Sequence, residues 1–169
     1  SMMRASTKEH TISVIEKIRS KCPDIALRTS IIVGFPNETR QDFKELEEFL
    51  INTKFAQVGF FEYSREADTD AFSFKHQKSK FTKRNRLRKL VSIQEDITLQ
   101  NNISQIGSIF DCVCDSEEEN YFVLRNQYNS PDVDSVIFVP KNQKLKVGEF
   151  YKVKIVDTEN ILDLKGEII

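Results

Sequence analysis

The sequence has few cysteines and no long hydrophobic run, and both shortages restrict the class of protein. No apolar stretch approaches the roughly 20 residues that a membrane-spanning helix needs, and no signal peptide is recognisable. Of the three cysteines, Cys112 and Cys114 lie too close together on one predicted strand to build a disulfide framework. The odd number and the missing secretory signal favour a reducing cytoplasm, and we expect no membrane partner.

The usual motifs for phosphate, metal or nucleophile chemistry are also absent. The glycine spacing and the lysine of a phosphate-binding loop are missing. Cys112 and Cys114 form a C-x-C pair with no further cysteine or histidine nearby, which favours buried packing over a metal site. His10 and His76 are isolated from any cysteine or serine partner. We therefore predict no metal ligand in this chain.

The net charge of -1 on 169 residues hides an asymmetry along the sequence. Residues 1–105 carry 18 basic and 14 acidic side chains, a balance of +4, whereas residues 106–169 carry 7 and 12, a balance of -5. The 39% hydrophobic and 30% charged content indicates a soluble globular chain of one or two domains. The two halves are expected to face different partners.

A strand, a tight turn, a helix and a second strand are predicted in the first half. The strands are Ile25–Val33 and Gln57–Tyr63, and the helix between them is expected to be capped by Asn37 or Thr39. This order is a βαβ unit, which implies a parallel sheet or barrel. The intervening Gly34-Phe35-Pro36 turn then lies at the carboxyl end of a strand, where α/β proteins place ligands. An ordinary strand–helix connector is the alternative interpretation.

Polar residues on the two predicted strands allow two interpretations as well. Arg28 and Ser30 share one face of the first strand, and a charged residue inside a buried strand needs a partner. That partner is either a ligand carboxylate or a neighbouring protein side chain. Tyr63, at the end of the second strand, is open to the same two interpretations.

A long helix is predicted from about Ser79 to Ser104, and a basic stretch precedes and enters it. Eight basic residues and no acidic one lie between Lys75 and Lys89. Such a stretch is able to follow a nucleic-acid backbone. The alternative is a solvated helix start, and Phe81 is the one aromatic residue available for base stacking.

After Gly107 the pattern changes to short alternating runs separated by turn residues, and we place a domain boundary near this glycine. Five short strands at this spacing predict a small antiparallel barrel of the OB-like size class. The predicted strands are Ile109–Cys114, Tyr121–Arg125, Val136–Val139, Phe150–Val156 and Ile161–Leu164.

Several of these segments resemble a known family. LRT leading into IIVGFPNET, followed by VGFFEYS, resembles the last part of the radical S-adenosylmethionine domain of the methylthiotransferases. YFVLRNQYNSPDVDSVIFV, followed by LKVGEFYKVKIVD, resembles the TRAM domain that closes these enzymes. The resemblance implies an α/β plus all-β chain. Residues 1–106 would hold the last βα units of an incomplete TIM-like radical-SAM barrel, and residues 107–169 the five-stranded antiparallel OB-like TRAM barrel.

Within the family, the LRT, VGFFEYS and SPDVD segments resemble the ribosomal-protein branch (RimO type) more than the tRNA branch (MiaB type). The former attaches a methylthio group to the β-carbon of an aspartate in the basic small-subunit ribosomal protein S-twelve. The acidic second half suits a basic protein and disfavours RNA. A tRNA methylthiotransferase fragment is the first alternative. A non-enzymatic nucleic-acid-binding module that uses Lys75–Lys89 is the second.

The resemblance also implies cofactors and sites. The intact enzymes use S-adenosylmethionine and two 4Fe-4S clusters, but the C-x-x-x-C-x-x-C signature is absent here. A C-terminal fragment is therefore implied, inactive alone, with no catalytic residue and no bound cofactor. The adenosylmethionine side of the barrel would be formed by Arg28, Ser30, Gly34, Phe35, Pro36 and Tyr63. The substrate protein would contact Arg125, Tyr128, Asp132 and Asp134.

Overall fold

The computed structural model describes residues 7–131 and 133–169. These residues form two compact units, one up to Ile93 and one from Gln94 onward. The boundary falls within a long helix, and each unit is described by itself. None of the helices in the described ranges is both long and apolar enough to cross a membrane.

The first unit contains the predicted βαβ arrangement. Its elements are α1 (Lys8–Lys21), β1 (Arg28–Val33), α2 (Arg40–Thr53), β2 (Gln57–Glu62), a short 3₁₀ helix (Asp70–Ser73) and the first part of α3 (Lys80–Gln105). β1 and β2 pair in parallel, with Arg28 opposite Gln57 and Val33 opposite Glu62. The predicted strand–helix–strand unit is confirmed.

The core of this unit lies on the side of the sheet that the helices cover. Val33, Leu50 and Leu90 are completely buried there, together with Phe55. α2 begins at a capping box in which the Thr39 hydroxyl accepts from the Asp42 amide and the Asp42 carboxylate accepts from the Thr39 amide. Of the two predicted caps, Thr39 is therefore the one used.

β1 begins three residues later than predicted. The Ile25 amide donates to the Cys22 carbonyl at 3.2 Å, so a turn follows α1 before the strand starts. Ile25 is 43% exposed, which shows that its β-branched side chain contributes to no strand core. The propensity of Ile25 for a strand is overridden by this turn, which includes Pro23.

The second unit is a closed five-stranded barrel, as predicted from the alternating pattern. Its strands are β3 (Ile109–Glu117), β4 (Tyr121–Arg125), β5 (Ile137–Pro140), β6 (Phe150–Thr158) and β7 (Leu164–Ile168), joined around the ring in the order β3-β4-β5-β7-β6. Residues that point inward form one cluster, in which Leu124, Ile155 and Val153 are completely buried. Cys112 and Cys114 belong to the same cluster.

The prediction of a wholly antiparallel barrel is wrong at one pair of strands. Four pairs are antiparallel, but β5 and β7 run parallel, with Ile137 opposite Leu164. The reason is parity, because strand directions cannot alternate around a closed ring of five without two neighbours pointing the same way. The long connection from β5 to β6 places this exception between β5 and β7.

The last strand is also shifted towards the C-terminus relative to its prediction. Residues 161–164 were expected to form it, whereas β7 spans Leu164–Ile168. The Asn160 side-chain oxygen accepts from the amides of Leu162 and Asp163, so this segment is an Asx turn. Ile161 and Leu162 are 43% and 49% exposed and lie outside the core.

Candidate functional site

The Gly34-Phe35-Pro36 turn follows β1 directly and needs glycine at its first position. Gly34 has a φ of +75°, and a Cβ atom there would lie 2.3 Å from the Lys83 Cγ. The Gly34 amide donates to the Glu38 Oε2 at 2.9 Å. The turn is thus folded back onto the residues that lead into α2.

An aromatic cluster covers the ends of the two parallel strands. The Phe35 ring makes edge contacts with Tyr63, at 5.2 Å between centroids, and with Phe74, at 6.1 Å. The Tyr63 amide extends the β1–β2 ladder by donating to the Val33 carbonyl. Its phenol oxygen is buried and meets no hydrogen-bond partner among the described residues. A buried hydroxyl of this kind is suited to a polar ligand group.

Two basic residues of α3 hold the same strand ends, and we call Glu38, Lys83 and Arg86 the strand-end clamp. Arg86 forms an ion pair with the Glu38 carboxylate and donates to the carbonyl oxygens of Glu38 and Thr39 at 3.4 and 3.1 Å. The Lys83 ammonium donates to the Tyr63 carbonyl at 2.7 Å. The clamp therefore connects α3 to the residues after both strands.

The clamp was missed from the sequence because Lys83 and Arg86 read there as part of a basic stretch facing solvent. Lys89, a third member of that stretch, lies 2.7 Å from the Glu47 carboxylate. Three of the eight basic residues between 75 and 89 thus bind groups of this unit. The signal for Arg86 was not local, since its partner Glu38 is 48 residues away.

The structure does not bring all six predicted cofactor residues together. Gly34, Phe35, Pro36 and Tyr63 are adjacent at the carboxyl ends of the strands. Arg28 begins β1, about 20 Å along the strand from Gly34 at its extended rise, and Ser30 about 13 Å away. Both Arg28 and Ser30 are exposed, on the opposite side of the sheet from the buried Val33.

In the barrel, two of the four predicted protein-contact residues lie in contacts within the unit. The Arg125 guanidinium pairs with the Asp115 carboxylate at 2.9 Å, both side chains being about one-third exposed. The Tyr128 ring stands edge-on to Phe110 at 6.0 Å between centroids. Either residue still presents part of its surface to solvent.

The other two predicted contact residues belong to the loop between β4 and β5. Asp132 lies outside the described residues. The Asp134 carboxylate accepts from the Ser130 amide at 2.5 Å, and Asn126, which is 4% exposed, accepts from the Tyr128 amide. These bonds define the loop by side-chain-to-backbone contacts, a role that the resemblance did not assign to Asp134.

Cys112 and Cys114 do not fit an iron–sulfur cluster. Burial raises the pKa of the Cys112 thiol to about 12, and the neighbouring Asp111 carboxylate adds to this. Burial also raises the pKa of Cys114, with Asp115 and Glu117 contributing. Both thiols are held in their neutral form inside the barrel core, whereas cluster ligands are thiolates. Within the described ranges, no three His, Cys, Asp or Glu side chains are grouped as metal ligands.

Comparison with known proteins gives one domain match and many relatives that align with nearly the whole of this chain. The TRAM domain family matches residues 106–169. The ribosomal protein uS12 methylthiotransferase RimO of Parabacteroides distasonis is 40% identical over 99% of the chain. The proteins of the same name from Christiangramia forsetii and Alkaliphilus oremlandii are 36% and 37% identical, also over 99% of the chain. The chain spans 39%, 37% and 39% of the lengths of these three relatives.

Proposed function

We propose that this chain, which belongs to the RimO family of methylthiotransferases, is the C-terminal part of such an enzyme and acts in the cytoplasm. It matches the C-terminal part of the family, including the TRAM domain. In this proposal the whole protein attaches a methylthio group to the β-carbon of an aspartate of ribosomal protein uS12 by radical chemistry. The observation that carries the proposal is identity of 34–40% to uS12 methylthiotransferases across nearly the entire chain. Residues 1–106 would complete the radical-SAM barrel, and residues 107–169 would be the TRAM domain.

The cofactor side of the proposal concerns the ends of β1 and β2. S-adenosylmethionine would supply the radical and the methyl group when bound. The backbone of the Gly34-Phe35-Pro36 turn and the Phe35 ring would contact this cofactor. The buried Tyr63 hydroxyl would offer it a hydrogen bond. Arg28 and Ser30 would face the barrel interior farther from this edge. The two 4Fe-4S clusters would be held by residues outside this chain, since Cys112 and Cys114 are buried in the barrel core and the C-x-x-x-C-x-x-C signature is absent from its sequence.

The chemistry is tested with the full-length protein that contains this segment. Incubation with uS12, S-adenosylmethionine, a reductant and a sulfide source is expected to replace one hydrogen on the β-carbon of one uS12 aspartate with a methylthio group, and so to raise the mass of that residue by the difference. Mass spectrometry of uS12 peptides makes the measurement. Unmodified uS12, with both clusters spectroscopically intact, would contradict the proposed reaction, and modification of tRNA instead would assign the enzyme to the other branch.

Recognition of the substrate protein is proposed for the acidic barrel. Residues 106–169 carry a charge of -5, which attracts a basic protein and repels RNA phosphate. Arg125, Tyr128, Asp132 and Asp134 are the proposed contact residues. Arg125 would bind through the exposed part of its side chain, because Asp115 already occupies its Nε.

Binding of uS12 to the present chain should weaken steeply as salt rises, because opposite charges drive the encounter. The substitution Asp134→Asn removes one charge but keeps an oxygen for the Ser130 amide, and is expected to weaken binding about threefold at low salt. Calorimetric titration measures both effects. Glu167→Gln on β7 is the matched control and should leave the affinity unchanged. Salt-independent binding, or equal effects of the two variants, would argue against this role of Asp134.

A further inference from the structure

The barrel has one side on which several apolar residues point outward among charged ones, and we call this side the outer face. It is formed by β3, β4, β5 and the beginning of β6. Alternation along β4 places Phe122 and Leu124 in the core and Tyr121, Val123 and Arg125 outside. The apolar members of the outer face are Val113, Tyr121, Val123, Phe138 and Phe150.

Strand register decides which members of the outer face are neighbours. Val113 is paired with Phe150 of β6 on one side and with Arg125 of β4 on the other. Val123 is paired with Phe138 of β5 on one side and with Ser116 of β3 on the other. The apolar residues therefore form one group on β3 and β6 and a second group on β4 and β5, with Arg125 and Ser116 between the two groups.

Two aromatic positions make the outer face unusual for a solvated surface. Phe150 is 71% exposed, and Tyr121 is 38% exposed while its ring contacts Phe138 at 4.7 Å between centroids. Farther along the ring, the outward positions of β6 and β7 are largely polar, with Lys154, Lys165 and Glu167. Apolar surface concentrated on one side of a small domain marks an interaction site.

The charges around the outer face decide which kind of partner fits it. Its three cations each lie within 3.0 Å of a carboxylate: Arg125 pairs with Asp115, Lys141 with Glu117, and Lys152 with Asp111. Further carboxylates follow in the hairpin beside Tyr121, at Glu118 and Glu119, and next to Phe150, at Glu149. Two further cations, Lys144 and Lys146, lie in the connection that leads to Phe150, so six carboxylates stand against five cations and the excess of negative charge is slight.

This charge pattern separates a protein partner from a nucleic acid. Aromatic side chains on a barrel surface are able to stack on bases, but such surfaces also need unneutralised cations to follow the phosphates. Here the cations Arg125, Lys141 and Lys152 are already paired with carboxylates. Lysine and arginine side chains of a protein, by contrast, would lay their aliphatic stems on Tyr121 and Phe150 and direct their charges to the surrounding carboxylates.

We propose that the outer face docks an extended basic segment of the substrate protein, with Phe150 and the Tyr121–Phe138 pair as its apolar anchors. The proposal rests on the proposed function, which makes uS12 that protein. It adds a surface on β3–β6 to the loop residues considered above. Contact energy in protein interfaces concentrates on a few aromatic anchors, so these positions should dominate the affinity.

The test measures binding of uS12 to the 169-residue chain by calorimetry at one fixed, low salt concentration. Phe150→Ser and Tyr121→Ser are each expected to weaken binding about tenfold or more. Val156→Ser is the matched control: it removes an outward residue of β6, 37% exposed and about 20 Å along the strand from Phe150, and should change the affinity less than twofold. Circular dichroism melting verifies that each variant barrel is folded.

The possible outcomes separate the surface from the function. Loss of affinity in both anchor variants but not in the control supports the proposal. Tight uS12 binding that neither anchor variant changes overturns the docking surface and leaves the proposed function standing. Absence of uS12 binding by the unchanged chain overturns the proposed role of the barrel together with the surface. Tight binding of an RNA hairpin that depends on Phe150 or Tyr121 likewise overturns the choice of a protein partner.

Discussion

Replacing Arg86 with alanine is expected to lower the free energy of unfolding of the first unit by about 3–5 kcal/mol, because the Glu38 carboxylate is left buried without its cation. The two side chains are only 10% and 12% exposed, so water does not readily replace the lost partner. The carbonyl oxygens of Glu38 and Thr39 lose a donor at the same time. Urea denaturation followed by hydrogen exchange of the β1 and α2 amides makes the measurement.

Lys44→Ala is the matched control for this prediction, since it removes another basic residue of the first unit with a carboxylate partner. Lys44 and its partner Glu48 are 68% and 60% exposed, so their pair is expected to contribute less than about 1 kcal/mol. Arg86→Lys should recover only part of the loss, because an ammonium cannot span the Glu38 carboxylate and the Thr39 carbonyl as the guanidinium does. Equal losses from Arg86→Ala and Lys44→Ala would contradict the special role of the clamp.

The clamp also connects stability to the proposed cofactor edge. The Glu38 carboxylate binds Arg86 through one oxygen and the Gly34 amide through the other. Without Arg86, the Glu38 carboxylate is no longer held in place on one side. This carboxylate is the acceptor that folds the Gly34-Phe35-Pro36 turn back towards α2. The shape of the turn is in this way determined by α3, an element that begins more than forty residues later in the sequence.

Features determined by neighbouring residues were predictable from the sequence. The βαβ unit, the glycine turn and the Thr39 cap depend on spacings of a few residues, and all three are present. The start of β1 and the position of β7 were wrong, because local turns at Cys22 and Asn160 outweigh the strand propensity of the isoleucines beside them. Short turns of this kind leave only a weak trace in the amino-acid composition.

Features that depend on distant residues were not predictable in the same way. The partners of Lys83 and Arg86 become visible only when α3 packs across the strand ends, which is why the sequence pattern suggested a solvent-facing charge run. The parallel β5–β7 pair is an intermediate case. An odd number of strands already requires one such pair in a closed barrel, but the topology decides which strands form it. The roles assigned to the candidate site residues stay predictions until the binding experiments are done.

Gly166→Val is expected to destabilise the barrel by about 3 kcal/mol or more, at or beyond the usual upper range for overpacked cores. Gly166 is buried in β7, and a Cβ there would lie 2.3 Å from the Val153 Cγ1 and 2.9 Å from the Ile137 Cγ2. Both neighbours are β-branched, at most 1% exposed, and have little rotamer freedom with which to move away. Urea denaturation monitored by tyrosine fluorescence reports mainly on this unit, because three of the four tyrosines, at positions 121, 128 and 151, lie in it.

Alanine at the same position separates steric crowding from backbone effects. In a strand of ordinary geometry, replacing glycine with alanine is normally favourable by about 0.4–1 kcal/mol, because it restricts the unfolded chain. At Gly166 the sign should reverse, with a loss of about 1–3 kcal/mol. Val153→Ala removes the closest methyl group, so the double variant Val153→Ala/Gly166→Ala should lose less stability than the sum of the two single variants. Strict additivity, or a stabilising Gly166→Ala, would show that β7 closes the barrel without requiring the small residue. The antiparallel β6–β7 contact would then have to tolerate a wider separation than the 2.3 Å approach to Val153 implies.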